Sequence, residues 1–291
     1  MIRESFLIKL QELGYVRGRS VEVDFWVEEQ DHGTPLAAAE AMLASGAHLI
    51  VAESPQMVRT AMTATQTTPI VMLRTPLAVE SGLVHSRARP GGNVTGVSRP
   101  TYAPKHLELL KEALPHVTRV AVPVYGSGAV EWPALQDAAV RLGVEVVRID
   151  DPWARGIDVD AVLEEAVRQG CDALLPLGGS QADTTHRSLA RLSTRYGLPS
   201  IFGRVQFAEG GGLLAFGGVA TDQAGRAAVF VDRILRGSKA GELPLEEPTS
   251  YSLTVNLDTA NQLGLTLPPS ILGRATRLIG GPAAPAAPFA G

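Results

Sequence analysis

Leu49-Ile50-Val51-Ala52, Glu53-Ser54-Pro55-Gln56, the segment Met57 to Gln66 and then Pro69-Ile70-Val71-Met72-Leu73 form the stretch whose reading decides the fold. The first and last segments are short apolar runs bounded by polar residues or proline, the pattern of buried strands. Met57 to Gln66 has helical spacing. Two buried strands joined by a helix make a βαβ unit, the building block of a parallel sheet covered by helices. Outward toward the amino terminus, Leu36 to Leu43 is Ala-rich and helical. Val21, Val23 and Phe25 alternate with Glu22 and Asp24 and are expected to form a half-buried strand. Phe6, Leu7, Leu10 and Leu13 recur at helical spacing, with Gly14 as the stop.

Toward the carboxyl terminus, Arg89 to Val97 reads as a turn into a short strand, and a second cycle then begins. Leu107 to Leu114, Trp132 to Leu142, Val159 to Arg168, Leu189 to Tyr196 and Asp222 to Leu235 read as helices. Val120 to Val122, Val144 to Ile149, Ala173 to Leu175, Pro199 to Phe202, Gly212 to Phe216 and Tyr251 to Val255 read as strands. Two further helical pieces are expected near Leu257–Leu263 and Ser270–Ile279. The fold class is therefore α/β, with two tandem doubly wound parallel sheets and a switch near residue 100. Ligands in such sheets sit beyond the carboxyl ends of the strands, and a cleft between two such domains is the default site.

Composition agrees with this reading. At 291 residues the chain has room for about two domains. It is 45% hydrophobic and 19% charged, enough apolar material for a sizeable core. A net charge of −4 gives no electrostatic drive toward nucleic acid or an anionic membrane. The apolar runs fall far short of the ~20 residues of a membrane-spanning helix. The start Met1-Ile2-Arg3-Glu4-Ser5-Phe6 lacks the basic and apolar segments of a secretion signal. Cys171 is the one cysteine, which excludes an internal disulfide and a multi-cysteine metal site.

The motifs favour binding over catalysis. Gly210-Gly211-Gly212-Leu213-Leu214-Ala215 fits a dinucleotide fingerprint, but it precedes a strand where the fingerprint must follow one. Gly178-Gly179-Ser180-Gln181-Ala182 resembles a nucleophile elbow with Ala in place of the final Gly. The last histidine, His186, comes too soon after it for a serine-hydrolase order. The six histidines show no metal-ligand spacing and read mostly as surface residues; no metal or cofactor is expected. Asp150-Asp151 before Pro152 reads as a turn. Cys171 reads as a small core residue, and Trp26, Trp132 and Trp153 read as core before cleft. What remains is a set of small, polar, Gly-rich loops at strand ends: Glu53 to Gln56, Arg74-Thr75-Pro76, Tyr125 to Gly128, Gly178 to Gln181 and Gly203 to Gln206. They offer hydrogen-bond donors without a nucleophile–base pair, so no enzymatic activity is expected.

The sequence resembles the tryptophan/tyrosine-type group of ABC-transporter substrate-binding proteins. The resemblance rests on Leu10-Gln11-Glu12-Leu13-Gly14-Tyr15, Ala88-Arg89-Pro90-Gly91-Gly92-Asn93-Val94-Thr95-Gly96, Leu107-Glu108-Leu109-Leu110-Lys111-Glu112, Gly211 to Leu214 and Leu243 to Thr249. It continues through Val255-Asn256-Leu257 to Leu263-Gly264-Leu265-Thr266-Leu267-Pro268-Pro269-Ser270-Ile271-Leu272. It implies a type I periplasmic-binding-protein fold, with two lobes joined by crossing hinge strands and a small amino-acid-like, possibly aromatic, solute in the cleft. The first lobe is expected over 1–99 and roughly 217–248. The second is expected over 100–216 and roughly 249–279, with 280–291 as a disordered tail. The resemblance further implies an ABC permease as partner, no nucleic acid, no direct membrane insertion, and a periplasmic or cell-surface location.

Family members usually carry a secretion signal and a first strand ahead of the opening helix, and the chain as written has neither. They also often place Asp-Pro where Arg74-Thr75-Pro76 stands; Arg74 either pairs with an acidic ligand or lies on the surface. The candidate ligand-binding residues are Ser54, Pro55, Gln56 and Thr75 from the first lobe. From the second they are Tyr125, Ser127, Ser180, Gln181, Arg204 and Phe216, with Tyr125 or Phe216 stacking on an apolar part of the solute. The alternative function is a cytoplasmic ligand-sensing regulator with the same bilobal fold.

Overall fold

The computed structural model describes residues 2–26, 33–150, 159–178 and 183–281. The chain divides into two compact units, Met1–Thr101 with Gly218–Tyr251 and Tyr102–Gly217 with Ser252 onward, and passes between them three times.

Unit 1 contains α1 (Ile2–Glu12), α2 (Pro35–Ala44), β1 (Ile50–Ala52), α3 (Pro55–Ala64), β2 (Ile70–Pro76), β3 (Val94–Arg99) and the later α9 (Ala220–Leu235). Its sheet has the order β1-β2-β3. Both pairs are parallel, with Val51 opposite Val71 and Val71 opposite Thr95. Two helices start the same way: Thr34 and Ser54 accept the amides of Ala37 and Met57, each at 3.2 Å, and proline holds the first helical position. The sheet is covered on both faces. Phe6 and Leu10 of α1 pack with Ala224, Ala227 and Phe230 of α9 on one side, and Val58 and Ala61 of α3 pack with Met72 on the other.

β2 carries one extra residue between Met72 and Thr75 relative to β3, a bulge that turns its last residues out of the regular ladder. Gly96 permits it. Its φ is +125°, and a Cβ there would fall inside the Met72 backbone. The expected strand over Val21–Phe25 is not formed. Arg17 and Val21 share one bridge, and residues 22–26 have no ladder partner among the described residues. Alternation fixes which side chains face the core, and Val23 does pack on the first cluster, but a strand also needs a neighbouring backbone to pair with.

Unit 2 contains α4 (Ala103–Ala113), β4 (Arg119–Val124), α5 (Trp132–Leu142), β5 (Glu145–Asp150), α6 (Val159–Arg168), β6 (Ala173–Leu174) and α7 (Asp183–Ser193). It continues with β7 (Ile201–Phe202), α8 (Val205–Glu209), β8 (Leu214–Gly218), β9 (Tyr251–Asn256), α10 (Leu257–Gln262), α11 (Pro269–Arg274) and β10 (Arg277–Ile279). The sheet runs β5-β4-β6, then across the parallel bridge Leu174–Ser200 to β7-β8-β9-β10. One face packs on α4, α5 and α11 through Leu107, Leu110, Leu135 and Ile271. The other packs on α6, α7 and α8 through Leu163, Leu189 and Phe207. Cys171 is buried in the second cluster, and burial pushes its thiol pKa up, as befits an unreactive core residue.

Two expectations are corrected in this unit. Ser270–Ile279 is not one helix: it divides into α11 and β10, the latter parallel to β9. Thr276 forces the change, because its Oγ1 accepts the Leu253 amide at 3.0 Å while its own amide donates to the Leu253 carbonyl at 2.8 Å. The stretch after Arg204, expected as loop, is the short helix α8. Phe207 and Ala208 are buried there, and Asn256 Nδ2 donates to the Ala208 carbonyl at 2.7 Å. Among the described residues no helix is long and apolar enough to cross a membrane.

Candidate functional site

In unit 1 the candidates cluster where β1 and β2 end. Ser54 and Pro55 are buried and Gln56 is exposed. The Ser54 hydroxyl oxygen caps α3, which leaves its O–H able to donate elsewhere. Arg74 does not lie open on the surface. It pairs with Glu53 from the neighbouring strand end and is only 12% exposed. Thr75 sits past the β2 bulge opposite Ser98, fully buried, and its Oγ1 has no hydrogen-bond partner.

In unit 2 the described candidates line up along the carboxyl ends of β4, β7 and β8. Tyr125 directly follows β4, and its amide donates to the Leu177 carbonyl at 3.0 Å. Ser127 belongs to the 3-10 turn Gly126–Val130, which lies against the Leu177–Gly178 backbone. Gly128 is needed for that approach, since a Cβ there would sit 2.8 Å from the Leu177 carbonyl. Arg204 is half-buried at the start of α8. Phe216 lies on β8; its ring meets Tyr102 at 5.8 Å, and its carbonyl is 2.7 Å from His106 Nε2. Ser180, Gln181, Asp151, Pro152, Trp153 and His32 lie outside the described residues, as does the expected tail from residue 282 on.

The residue the sequence reading missed is His186. The six histidines were expected mostly at the surface, yet this one is only 6% exposed. It sits on the inner face of α7, ringed by Tyr125 at 5.7 Å, Phe207 at 5.2 Å and Phe202 at 5.9 Å between ring centroids. Its Nε2 is buried without a hydrogen-bond partner. Burial first, and the nearby Arg204 charge second, push its pKa down to about 3, so the imidazole is neutral at ordinary pH. His106 is likewise buried. No group of His, Cys, Asp and Glu among the described residues is arranged to hold a metal ion. Unit 2 thus brings a buried aromatic cluster and one half-buried guanidinium to one end of its sheet, while the described small hydroxyls among the candidates, Ser54 and Thr75, belong to unit 1.

Comparison with known proteins places this architecture. The family model for ABC transporter substrate binding proteins matches residues 1–279. The chain belongs to that family. A relative described as a tyrosine-binding protein, from Clostridioides difficile (strain R20291), is 26% identical over 271 residues, covering 90% of this chain and 76% of the relative. A conserved domain protein from Vibrio cholerae superposes with a TM-score of 0.87 at 25% identity, over 95% of this chain and 94% of that one. The ABC domain from Streptococcus pneumonia in complex with L-Trp superposes with a TM-score of 0.85 at 22% identity, over 96% of this chain and 95% of that one. The substrate-binding-protein fold thus extends over both units.

Proposed function

We propose that this protein is the solute-binding component of an ABC importer and takes a small, amino-acid-like aromatic ligand. One observation carries the reading: Tyr125, whose ring packs on His186, and Arg204 stand just past the carboxyl ends of β4 and β7. A guanidinium there suits the carboxylate of a zwitterionic solute. Aromatic edges suit its side chain. The relatives described as tyrosine-binding and L-Trp-bound support the same ligand class. Transport, not turnover, is the proposed role. It brings with it a permease partner, a periplasmic or cell-surface location, and hinge bending in which ligand contacts favour the closed state.

A thermal-shift and calorimetric screen of the twenty amino acids and simple aromatic acids tests the reading. A ligand present at 100 times its Kd stabilises the folded chain by about 2.7 kcal/mol, which is easily seen as a raised Tm. Arg204→Ala is expected to weaken binding of the hit at least tenfold by removing the carboxylate partner. No shift with any amino acid or aromatic acid would overturn the proposal.

A further inference from the structure

Gly210-Gly211-Gly212, which fails as a dinucleotide fingerprint, builds a second concave feature of unit 2. Gly211 has a φ of +114°, and a Cβ there would sit 3.1 Å from the Ala190 carbonyl oxygen, so the turn lies close against the last turn of α7. Thr194, just past α7, and Thr259 of α10 both donate their hydroxyls to the Gly211 carbonyl, at 3.3 and 2.9 Å. The three segments enclose a concavity of about 480 Å³, a volume usual for small-molecule sites. Arg191, Thr194 and Arg195 line it from α7 and the turn after it, and Asp258 and Gln262 from α10. It lies at the far end of the sheet from Tyr125 and Arg204. The glycines precede β8, and β9 runs antiparallel to β8, with the Asn256 amide donating to the Leu213 carbonyl and the Val219 amide to the Ser250 carbonyl. The end of β9 therefore meets the start of β8, whereas Tyr125 and Arg204 follow the carboxyl ends of β4 and β7.

The charges around this concavity are unevenly matched. Glu209 pairs with Arg277 at 2.6 Å, and the Asp258 carboxylate lies against the Gly280 backbone. Arg191 and Arg195 are exposed, and neither has an acidic partner among the described residues. Like charges four residues apart repel, and nothing in the free protein relieves this pair. We propose that the concavity is a second ligand site, for a small molecule that carries a phosphate monoester. Such a group bears nearly two negative charges at pH 7 and three acceptor oxygens, which two guanidinium groups match in both charge and donors. A carboxylate would balance only one of them. The Gln262 side-chain amide supplies a further donor on the facing element.

Calorimetric titration of the full chain with glycerol 3-phosphate at low ionic strength tests this. Saturable one-to-one binding is expected. Arg191→Gln and Arg195→Gln are each expected to weaken it at least tenfold. Arg187→Gln removes the same charge one turn earlier on α7, outside the concavity, and should change the affinity less than twofold. All three side chains are exposed, so the variants are expected to melt with the parent. Arg204→Ala should leave glycerol 3-phosphate binding unchanged. Absence of saturable binding to the parent would overturn the proposal. Equal weakening by Arg187→Gln would overturn it in favour of diffuse attraction to a basic helix, and loss of binding in Arg204→Ala would move the phosphate to the other end of the sheet. Binding to phosphatidylglycerol vesicles without binding to glycerol 3-phosphate would replace the small molecule by a membrane surface. Each of these failures leaves the solute-binding reading standing, because that reading uses the opposite end of the sheet.

Discussion

Where β1 ends, Ser54 accepts the Met57 amide and Arg74 pairs with Glu53. Where β4 and β7 end, His186 lies among three rings with Nε2 unmet. Thr75 also has an unmet buried hydroxyl near this strand end, but it is sealed within a strand of the sheet. The two strand ends thus use polar side chains differently. A capping hydroxyl or an internal ion pair fixes the course of the chain and stabilises the free protein. A buried imidazole with no partner does the reverse, and an apolar residue would serve the fold better there. The contrast separates polar groups that stabilise the free protein in unit 1 from a buried imidazole in unit 2 that does not.

The largest effect that probes this contrast is expected at the floor of the unit 2 cluster. Phe207 is 1% exposed and touches both His186 and Phe202. Phe207→Ala is expected to cost about 3–5 kcal/mol in urea denaturation, by lost burial and the cavity left behind. A cost below about 1 kcal/mol would mean that the rings do not pack as one body, and that His186 is not held in place by them.

His186 gives the next effect, and its sign is fixed. Its folded-state pKa, about 3, lies below the ordinary value of 6.5. Between those values the unfolded chain binds a proton that the folded chain does not, so the stabilisation is whole above pH 6.5 and is lost as the pH falls. The limiting slope is about 1.4 kcal/mol per pH unit, or roughly 2 kcal/mol between pH 6.5 and pH 5. Asp232, whose carboxyl the Arg236 guanidinium holds below its usual value, slopes the same way. The informative quantity is therefore parent minus His186→Phe, measured by denaturation at several pH values. Parallel curves for the two proteins would show that the imidazole takes up its proton as readily in the folded state as in the unfolded chain, and would refute its dry surroundings.

Much of this architecture was legible in the sequence, and the misses share a cause. Apolar runs such as Ile70 to Leu73 and Val120 to Val122 gave the strands, because a strand covered on both faces is apolar throughout. The strand-end loops followed from the strands, and Tyr125, Arg204 and Phe216 do lie along one sheet edge. His106 and His186 were missed for one reason. Each stands just ahead of the first leucine of an apolar run, Leu107 and Leu189, so a helix begun at the leucine leaves the histidine outside. In the structure α4 begins at Ala103 and α7 at Asp183, and both histidines fall on the buried stripe, His106 with Ala103 and Leu110, His186 with Leu189 and Ala190. Period 3.6 carried back one turn would have found them. No local pattern would have revealed that Val21–Phe25 lacks a partner strand, because pairing depends on a distant segment.

The smallest effect separates a cap from a contact. Ser54 and Thr34 make the same bond, side-chain oxygen to the amide three residues on, each at 3.2 Å and each before a proline. Replacing either by Ala should cost about 1 kcal/mol of stability. Their roles in binding should differ. Thr34 is exposed and precedes α2, remote in sequence from any strand's carboxyl end, so Thr34→Ala should leave solute affinity unchanged. Ser54 follows β1 directly, and capping uses only an oxygen lone pair, so its O–H remains to donate to a ligand carboxylate. Ser54→Ala is therefore expected to match Thr34→Ala in stability loss while weakening the calorimetric affinity severalfold. Equal affinities in the two variants would make Ser54 a cap and nothing more, and would leave recognition to the unit 2 cluster alone.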